Sequence, residues 1–389
     1  MKNFLRRFNW FAFVCMVALM AVGVLFVYSA NFSRESLKLQ LLYRSQAELA
    51  LFGILAGFGL AAAHYRRILA WSALFYLAAV ALLVAVLVMG TSQMGAKRWV
   101  FGIQPAELAK LATILALAAF LGREEARRDI VDFLVAGAIT LLPMALIFLQ
   151  PDLGTALVFP PILAAMLFVS GTAPRALLAT VLAGLLAAVV VFGSLVIREN
   201  PRAPAPVRAA CRGATSFLSD YQTERLLDFA FPDRDPLNRG WNRRQSQIAI
   251  GSGGIWGKGF LKGDQNILGY LPQQVSANDF IFSVIAEEAG FAGSVFVLLC
   301  YGGLLLSVLA VASAARDGPG RLLSAGVAAM LFCHVFINVA MTVGLAPITG
   351  LPLPFLSYGR TFMLAVTLAM GLVQSVAVHG GTEDPAGLG

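Results

Sequence analysis

Ten long apolar runs, at 11–28, 46–65, 68–90, 104–121, 133–149, 153–169, 176–197, 280–315, 322–345 and 361–378, are separated by short polar connections and one long one. Each is near the ~20 residues that an α-helix needs to cross a hydrocarbon core. The runs lack the period-2 alternation of strands, and only helices or closed barrels satisfy their backbone groups in lipid. The pattern predicts an all-α polytopic membrane protein, a single domain over 1–389, with ten transmembrane helices and a large loop, 198–279, between the seventh and eighth. Composition agrees: 59% of residues are hydrophobic and 13% charged, and the mean hydropathy is +0.78.

Charge sets the orientation. The N-terminus and the even-numbered connections carry eleven basic residues: Lys2, Arg6, Arg7, Arg66, Arg67, Arg123, Arg127, Arg128, Arg175, Arg316 and Arg321. The opposite short connections carry six: Arg34, Lys38, Arg44, Lys97, Arg98 and Arg360. By the positive-inside rule both termini are cytoplasmic and 198–279 lies outside, its own basic residues not counting because loops this long translocate regardless of charge. The net charge of +8 thus divides between a cytoplasmic anchor and a basic outer loop, which gives nucleic acid little support as a partner. Met1–Arg7 followed by an apolar run has the form of a signal peptide, but Tyr28 three residues before a cleavage point fits poorly, so the first helix is read as uncleaved. Of the four cysteines only Cys211 faces outside, which leaves no extracellular disulfide within one chain. Cys333 and His334 point about 100° apart on a helix and are read as packing residues, not metal ligands.

Polar groups inside a membrane cost about 2.5–3.5 kcal/mol each at a helix centre, so their depth is informative. Glu107 and Lys110 lie three residues apart on one face in the first outer turns of the run at 104–121. Asp152 falls in the short outer connection Gln150-Pro151-Asp152, Asp279 at the mouth of the eighth run with Glu287 and Glu288 two turns deeper, Asn338 in the outer half of the ninth, and Ser357-Tyr358-Gly359-Arg360 at the start of the tenth. Singly, each could serve packing. Their convergence on the outer side points to chemistry on a substrate held in the outer leaflet, away from the midplane where transporters place their sites.

The outer loop has its own order. Residues 200–212 read as an irregular Pro/Ala/Arg connector, 217–227 as an amphipathic helix lying on the bilayer, and Gly251–Gly259 as a glycine-rich stretch. Five glycines in nine residues let backbone approach either a ligand, a phosphate among them, or a neighbouring helix.

Seven segments carry a family resemblance: GAKRW (95–99), QPAELAKL (104–111), QPDLGTAL (150–157), FPDRDPLNRGW (231–241), QSQIAIGSGGIWGKG (245–259), NDFIFSVIAEEAGF (278–291) and GLPLPFLSYG (350–359). In this order they resemble the shape, elongation, division and sporulation (SEDS) family of bacterial membrane glycosyltransferases, closer to its RodA branch than to FtsW. The resemblance implies polymerisation of lipid II into peptidoglycan strands at the outer leaflet of the cytoplasmic membrane, in cell elongation. It implies Asp279 as general base on the acceptor hydroxyl. Charge on the departing pyrophosphate then falls to Lys97, Arg98 and Lys110, with Arg243, Arg244, Lys258 and Arg360 as further candidates and a divalent cation (Mg or Mn) as a possible helper. Glu107, Asp152, Glu287, Asn338 and Ser357 are expected to position these groups. The implied partner is a class B penicillin-binding protein, its single helix docking on the small-residue faces of the eighth and ninth helices.

Three features depart from the family. Pro272–Asp279 is two residues longer than the usual Pro-Glu-x-His-Thr-Asp and lacks its Glu and His; Arg360 stands where glycine is usual; and residues 200–219 read as an insertion. Competing readings are a lipid II flippase, which predicts functional polar groups on both leaflets, and a non-catalytic scaffold for a penicillin-binding protein, which predicts that Asp279 tolerates replacement. Within the family, division is the alternative to elongation.

Overall fold

The computed structural model describes residues 2–32, 36–93, 96–100, 102–123, 129–231, 239–271 and 276–381. Helices α1 (Lys2–Arg7), α2 (Trp10–Phe32), α3 (Leu37–Gln40), α4 (Leu42–Ala62), α5 (Tyr65–Ala70) and α6 (Ser72–Met89) lead into a hairpin of β1 (Thr91–Gln93) and β2 (Ala96–Trp99). Then come α7 (Pro105–Leu121), α8 (Ile130–Leu149), α9 (Leu153–Ala156), α10 (Phe159–Ser170) and α11 (Pro174–Glu199). The outer loop holds α12 (Ala205–Ala214), α13 (Asp220–Ala230), α14 (Arg239–Ser252) and α15 (Asp264–Ile267), and α16 (Ile281–Ala314), α17 (Gly318–Thr342) and α18 (Arg360–His379) complete the bundle.

Among the described residues nine helical segments are long and apolar enough to cross a membrane. The tenth expected span, 104–121, is α7, only 17 residues long and buried on nearly every face at the bundle centre, including Glu107 at 2% exposure and Lys110 at 1%. A helix sheathed by protein needs neither the length nor the uniform apolarity that lipid demands. The opposite case is α11, a 26-residue apolar helix almost wholly exposed, as a lipid-facing helix is. Packing elsewhere uses small residues: a Cβ on Gly371 would lie 2.8 Å from the Gly57 Cα, so α4 and α18 touch backbone to backbone.

Two expectations for the outer loop change. The connector at 200–212 contains α12, because Pro204 and Pro206 sit at the cap and first turn, where proline is pre-organised for a helix, and are followed by Ala and Arg. The expected surface helix at 217–227 is α13, opened by a capping box between Ser219 and Gln222. It does not merely lie on the bilayer: Gln222, Thr223 and Leu227 are buried, and Gln222 Nε2 donates to Phe148 O at 3.2 Å.

The glycine-rich stretch answers a backbone need. Gly290 inside α16 has φ 68° and ψ −164°, which breaks the i to i−4 ladder and frees two carbonyls before it and two amides after it. Lys258 N donates to Glu287 O and Gly259 N to Glu288 O, both at 3.0 Å, while Phe291 N donates to Gly254 O at 2.9 Å and Ala292 N to Ile255 O at 3.0 Å. The approach admits no side chain, since a Cβ at Gly257 would lie 2.1 Å from Glu288 O. The loop is a clasp on a broken helix, the approach to a neighbouring helix that its glycines permit.

Candidate active site

Asp279 closes the turn that precedes α16, and three hydrogen bonds fix the backbone around it. The buried Asn338 of α17 donates from Nδ2 to Asp279 O at 2.9 Å and to Leu351 O at 2.7 Å. Ser357 Oγ donates to Asn278 O at 2.6 Å while accepting from Leu353 N at 2.8 Å, and Tyr358 N donates to Ala277 O at 3.0 Å. The segment 350–359 is thereby tied to 277–279, and the positioning expected of Asn338 and Ser357 is a grip on backbone carbonyls. Among the described residues no donor reaches the Asp279 carboxylate, which faces a cavity of about 700 Å³. Gly350 lies beside it at a φ of +74°, a conformation that favours glycine, with its Cβ position 3.4 Å from both Asp279 Oδ2 and Arg225 Nη1.

Three arginines, Arg98, Arg225 and Arg360, line the cavity with three carboxylates. Arg98, delivered by β2, donates from Nη2 to Pro151 O at 2.7 Å and places Nε 3.7 Å from Asp152 Oδ2. Asp152 caps α9 by accepting from Thr155 N at 3.2 Å and takes Gln104 Nε2 at 3.4 Å. Arg225 comes from α13, hydrogen-bonded to the Tyr221 hydroxyl with its guanidinium 4.4 Å from that ring's centroid; Arg98 lies 5.5 Å from the same ring. Burial lowers the Arg225 pKa from its usual value. Burial also pushes Asp279 up to about 6, against the pull of Arg225 and Arg98 and with a smaller push from Asp152.

Behind the cavity wall runs a buried polar chain. Lys110 Nζ is 2.8 Å from Glu107 Oε2 and 2.7 Å from His334 Nε2, and His334 Nδ1 is 3.2 Å from Pro352 O. With Lys110 as an ammonium, which only donates, Nε2 accepts and Nδ1–H donates to Pro352. Glu107 and Pro352 both line the cavity, so the chain joins two of its walls through His334.

The expected residues thus divide. Asp279, Arg98, Asp152, Glu107 and Arg360 line one cavity, Arg360 exposed at its rim, with Asn338, Ser357 and Lys110 directly behind. Lys97 projects outward from the hairpin and Arg244 is exposed on α14. Arg243 donates to Gly344 O at 2.6 Å and Phe229 O at 3.2 Å, pinning α14 to the turn after α17. Lys258 is engaged by Glu287 at 2.7 Å and Asp264 at 2.9 Å, and Glu287 also accepts from Gln265 N at 3.0 Å, so this pair secures the clasp. Residues 232–238 of FPDRDPLNRGW, 272–275 before Asp279, Gly95, Arg34, Arg127 and Arg128 lie outside the described residues. Sequence reasoning missed Arg225, Tyr221, Gln104 and His334. The i, i+4 spacing of Tyr221 and Arg225 puts them on one helix face, but nothing local says that this face meets Asp279. Among the described residues no three His, Cys, Asp or Glu side chains converge as a metal-ligand set.

Comparison with known proteins places this geometry. The profile of the cell cycle protein family FtsW/RodA/SpoVE matches residues 9–381. The chain is 35% identical to the peptidoglycan glycosyltransferase RodA of Treponema pallidum, over 95% of this chain and 97% of that one. It is 34% identical to the peptidoglycan glycosyltransferase MrdB of Escherichia coli, over 79% and 78%, and 31% identical to stage V sporulation protein E of Bacillus subtilis, over 94% and 95%. A chain from a solved peptidoglycan synthase complex, described as coordinating polymerization and crosslinking, superposes with a TM-score of 0.75 at 32% identity, covering 97% of this chain and 99% of that one. The rod shape determining protein RodA of Thermus thermophilus gives 0.66 at 29% identity, covering 97% and 98%. This all-α membrane bundle, matched by the family profile over residues 9–381, belongs to the FtsW/RodA/SpoVE family.

Proposed function

We propose that this protein is a peptidoglycan glycosyltransferase of the RodA type, polymerising lipid II at the outer leaflet of the bacterial cytoplasmic membrane during elongation, with both termini cytoplasmic. The carrying observation is the Asp279 carboxylate, free of donors among the described residues and facing a cavity that also holds Arg98 and Arg225. Asp279 takes the proton of the acceptor sugar hydroxyl as that oxygen bonds to the donor's anomeric carbon, and the bond from that carbon to the pyrophosphate oxygen breaks. The departing charge is met by Arg98 and Arg225, held in place by Tyr221 and Asp152 before substrate arrives. One base suffices, because a neutralised pyrophosphate leaves without a second carboxylic acid. The names of the relatives and the superposition on the synthase-complex chain support this reading, and the latter supports a class B penicillin-binding protein as partner.

The test is glycan polymerisation from labelled lipid II by the purified protein, alone and with its transpeptidase partner blocked at the active serine. Wild type is expected to make polymer and Asp279→Asn none, with both equally folded; equal polymer from the mutant would remove Asp279 as base and favour a scaffold. Chelation in the same assay reads whether a divalent cation shares the neutralisation.

A further inference from the structure

The far end of the bundle carries a second cavity of different character. From Arg360 at the rim of the Asp279 cavity, the 20 residues of α18 run about 30 Å to His379, a full hydrocarbon thickness. There, where α1, α2, α16 and α18 meet, a cavity of about 540 Å³ opens with Arg7 and Arg316 at its mouth. Both residues gather at the end of α18: a Cβ on Gly381 would lie 3.9 Å from Arg7 Nη1, and Arg316 N donates to Gly380 O at 3.2 Å. At this same end Arg66 is neutralised by Asp317 at 3.0 Å and Arg123 by Asp132. Among the described residues Arg7 and Arg316 have no acidic partner. The remaining polar side chain on the wall, Asn9, is spent on Ser307, accepting its hydroxyl at 2.9 Å. Below the arginines the wall is apolar and low in relief, formed by Ala310, Ala314 and Ala377 with Val311 and Val376.

The unspent polar capacity is therefore cationic and doubled, while the rest of the side-chain lining is apolar and lies at the far end of α18. We propose that this cavity binds an anionic phospholipid, its phosphodiester between Arg7 and Arg316 and one acyl chain along Ala310, Ala314 and Ala377. Each arginine near an anionic headgroup is worth about fivefold in binding, so the pair is worth roughly thirtyfold. The proposal does not depend on the activity at Asp279.

Native mass spectrometry of the full-length protein with added phosphatidylglycerol or phosphatidylcholine tests it. Arg7→Gln/Arg316→Gln is expected to lose the preference for phosphatidylglycerol by roughly thirtyfold, while Arg6→Gln/Arg67→Gln, which removes equal charge from exposed positions outside the cavity, retains it. Ala314→Phe, at an exposed position, keeps both charges and fills the floor, and is expected to weaken retention of phosphatidylglycerol. Equal loss in the two double variants would replace the site with diffuse surface attraction. No loss in Arg7→Gln/Arg316→Gln, at unchanged melting temperature, would overturn it outright.

Discussion

Asp279 combines two properties that a base needs: among the described residues its carboxylate has no hydrogen-bond donor, and burial pushes its pKa up to about 6. Replacing it with Asn is expected to reduce polymerisation by about 10²–10⁴-fold with unchanged melting temperature, measured on labelled lipid II. Its elevated pKa makes a directional prediction. The base works only when ionised, so kcat/KM is expected to rise with pH through an acid limb near 6, the value to which burial pushes the group. Arg225 pulls that value down, so Arg225→Gln is expected to move the limb upward and to lower the rate most at the acid end. A limb that stays put would show that Arg225 acts only on the leaving group. Gly350→Ala introduces a methyl 3.4 Å from both groups at a φ of +74°, and is expected to reduce turnover more than substrate binding. At this scale the sequence named Asp279, Arg98 and Asp152, which line one cavity. It did not single out Arg225, and it read His334 as a packing residue, because their value lies in their surroundings: Arg225 lines the same cavity as Asp279, and His334 meets Lys110 across 224 residues of chain.

Among the elements, the broken α16 explains the glycine-rich motif. A continuous run at 280–315 reads as one long helix, and no local signal in it announces the break, since an isolated glycine is tolerated in helices. The break becomes legible only beside the clasp that satisfies its four backbone groups. Gly290 occupies a conformation essentially confined to glycine, so Gly290→Ala is expected to destabilise the protein by roughly 2 kcal/mol or more, read as a lowered melting temperature in detergent. Gly251→Ala, where a Cβ would meet nothing within 4 Å, is the matched control and is expected to be silent. The hairpin β1–β2 was likewise unforeseen: strands of three and four residues are too short for a periodicity, yet they carry Arg98 to the cavity. By contrast α13 was foreseen as a helix, through its amphipathic pattern, and its cap and its docking emerged only in the structure.

At the scale of the whole molecule, orientation is testable through the one cysteine in the outer loop. In spheroplasts of cells carrying the Cys15→Ala/Cys300→Ala/Cys333→Ala background, Cys211 is expected to react with a membrane-impermeant maleimide without permeabilisation. Arg67→Cys in a Cys211→Ala version of the same background is expected to react only after permeabilisation; the reverse pattern would invert the proposed topology. The alternation of apolar runs and short basic connections determined by itself that this chain is a helical membrane bundle, because lipid leaves the backbone no other solution. The seven motifs likewise determined its family, and the depth of each carboxylate could be counted from the ends of the runs. Only the tertiary structure decided which cations face Asp279, removing Lys97, Lys258, Arg243 and Arg244 from its cavity and bringing Arg225 in. It also decided that α7, short and charged, sits at the centre sheathed by its neighbours. The reason is physical: whether a helix crosses lipid is set by its own residues, whereas the partner of a buried charge is set by which distant segment packs against it.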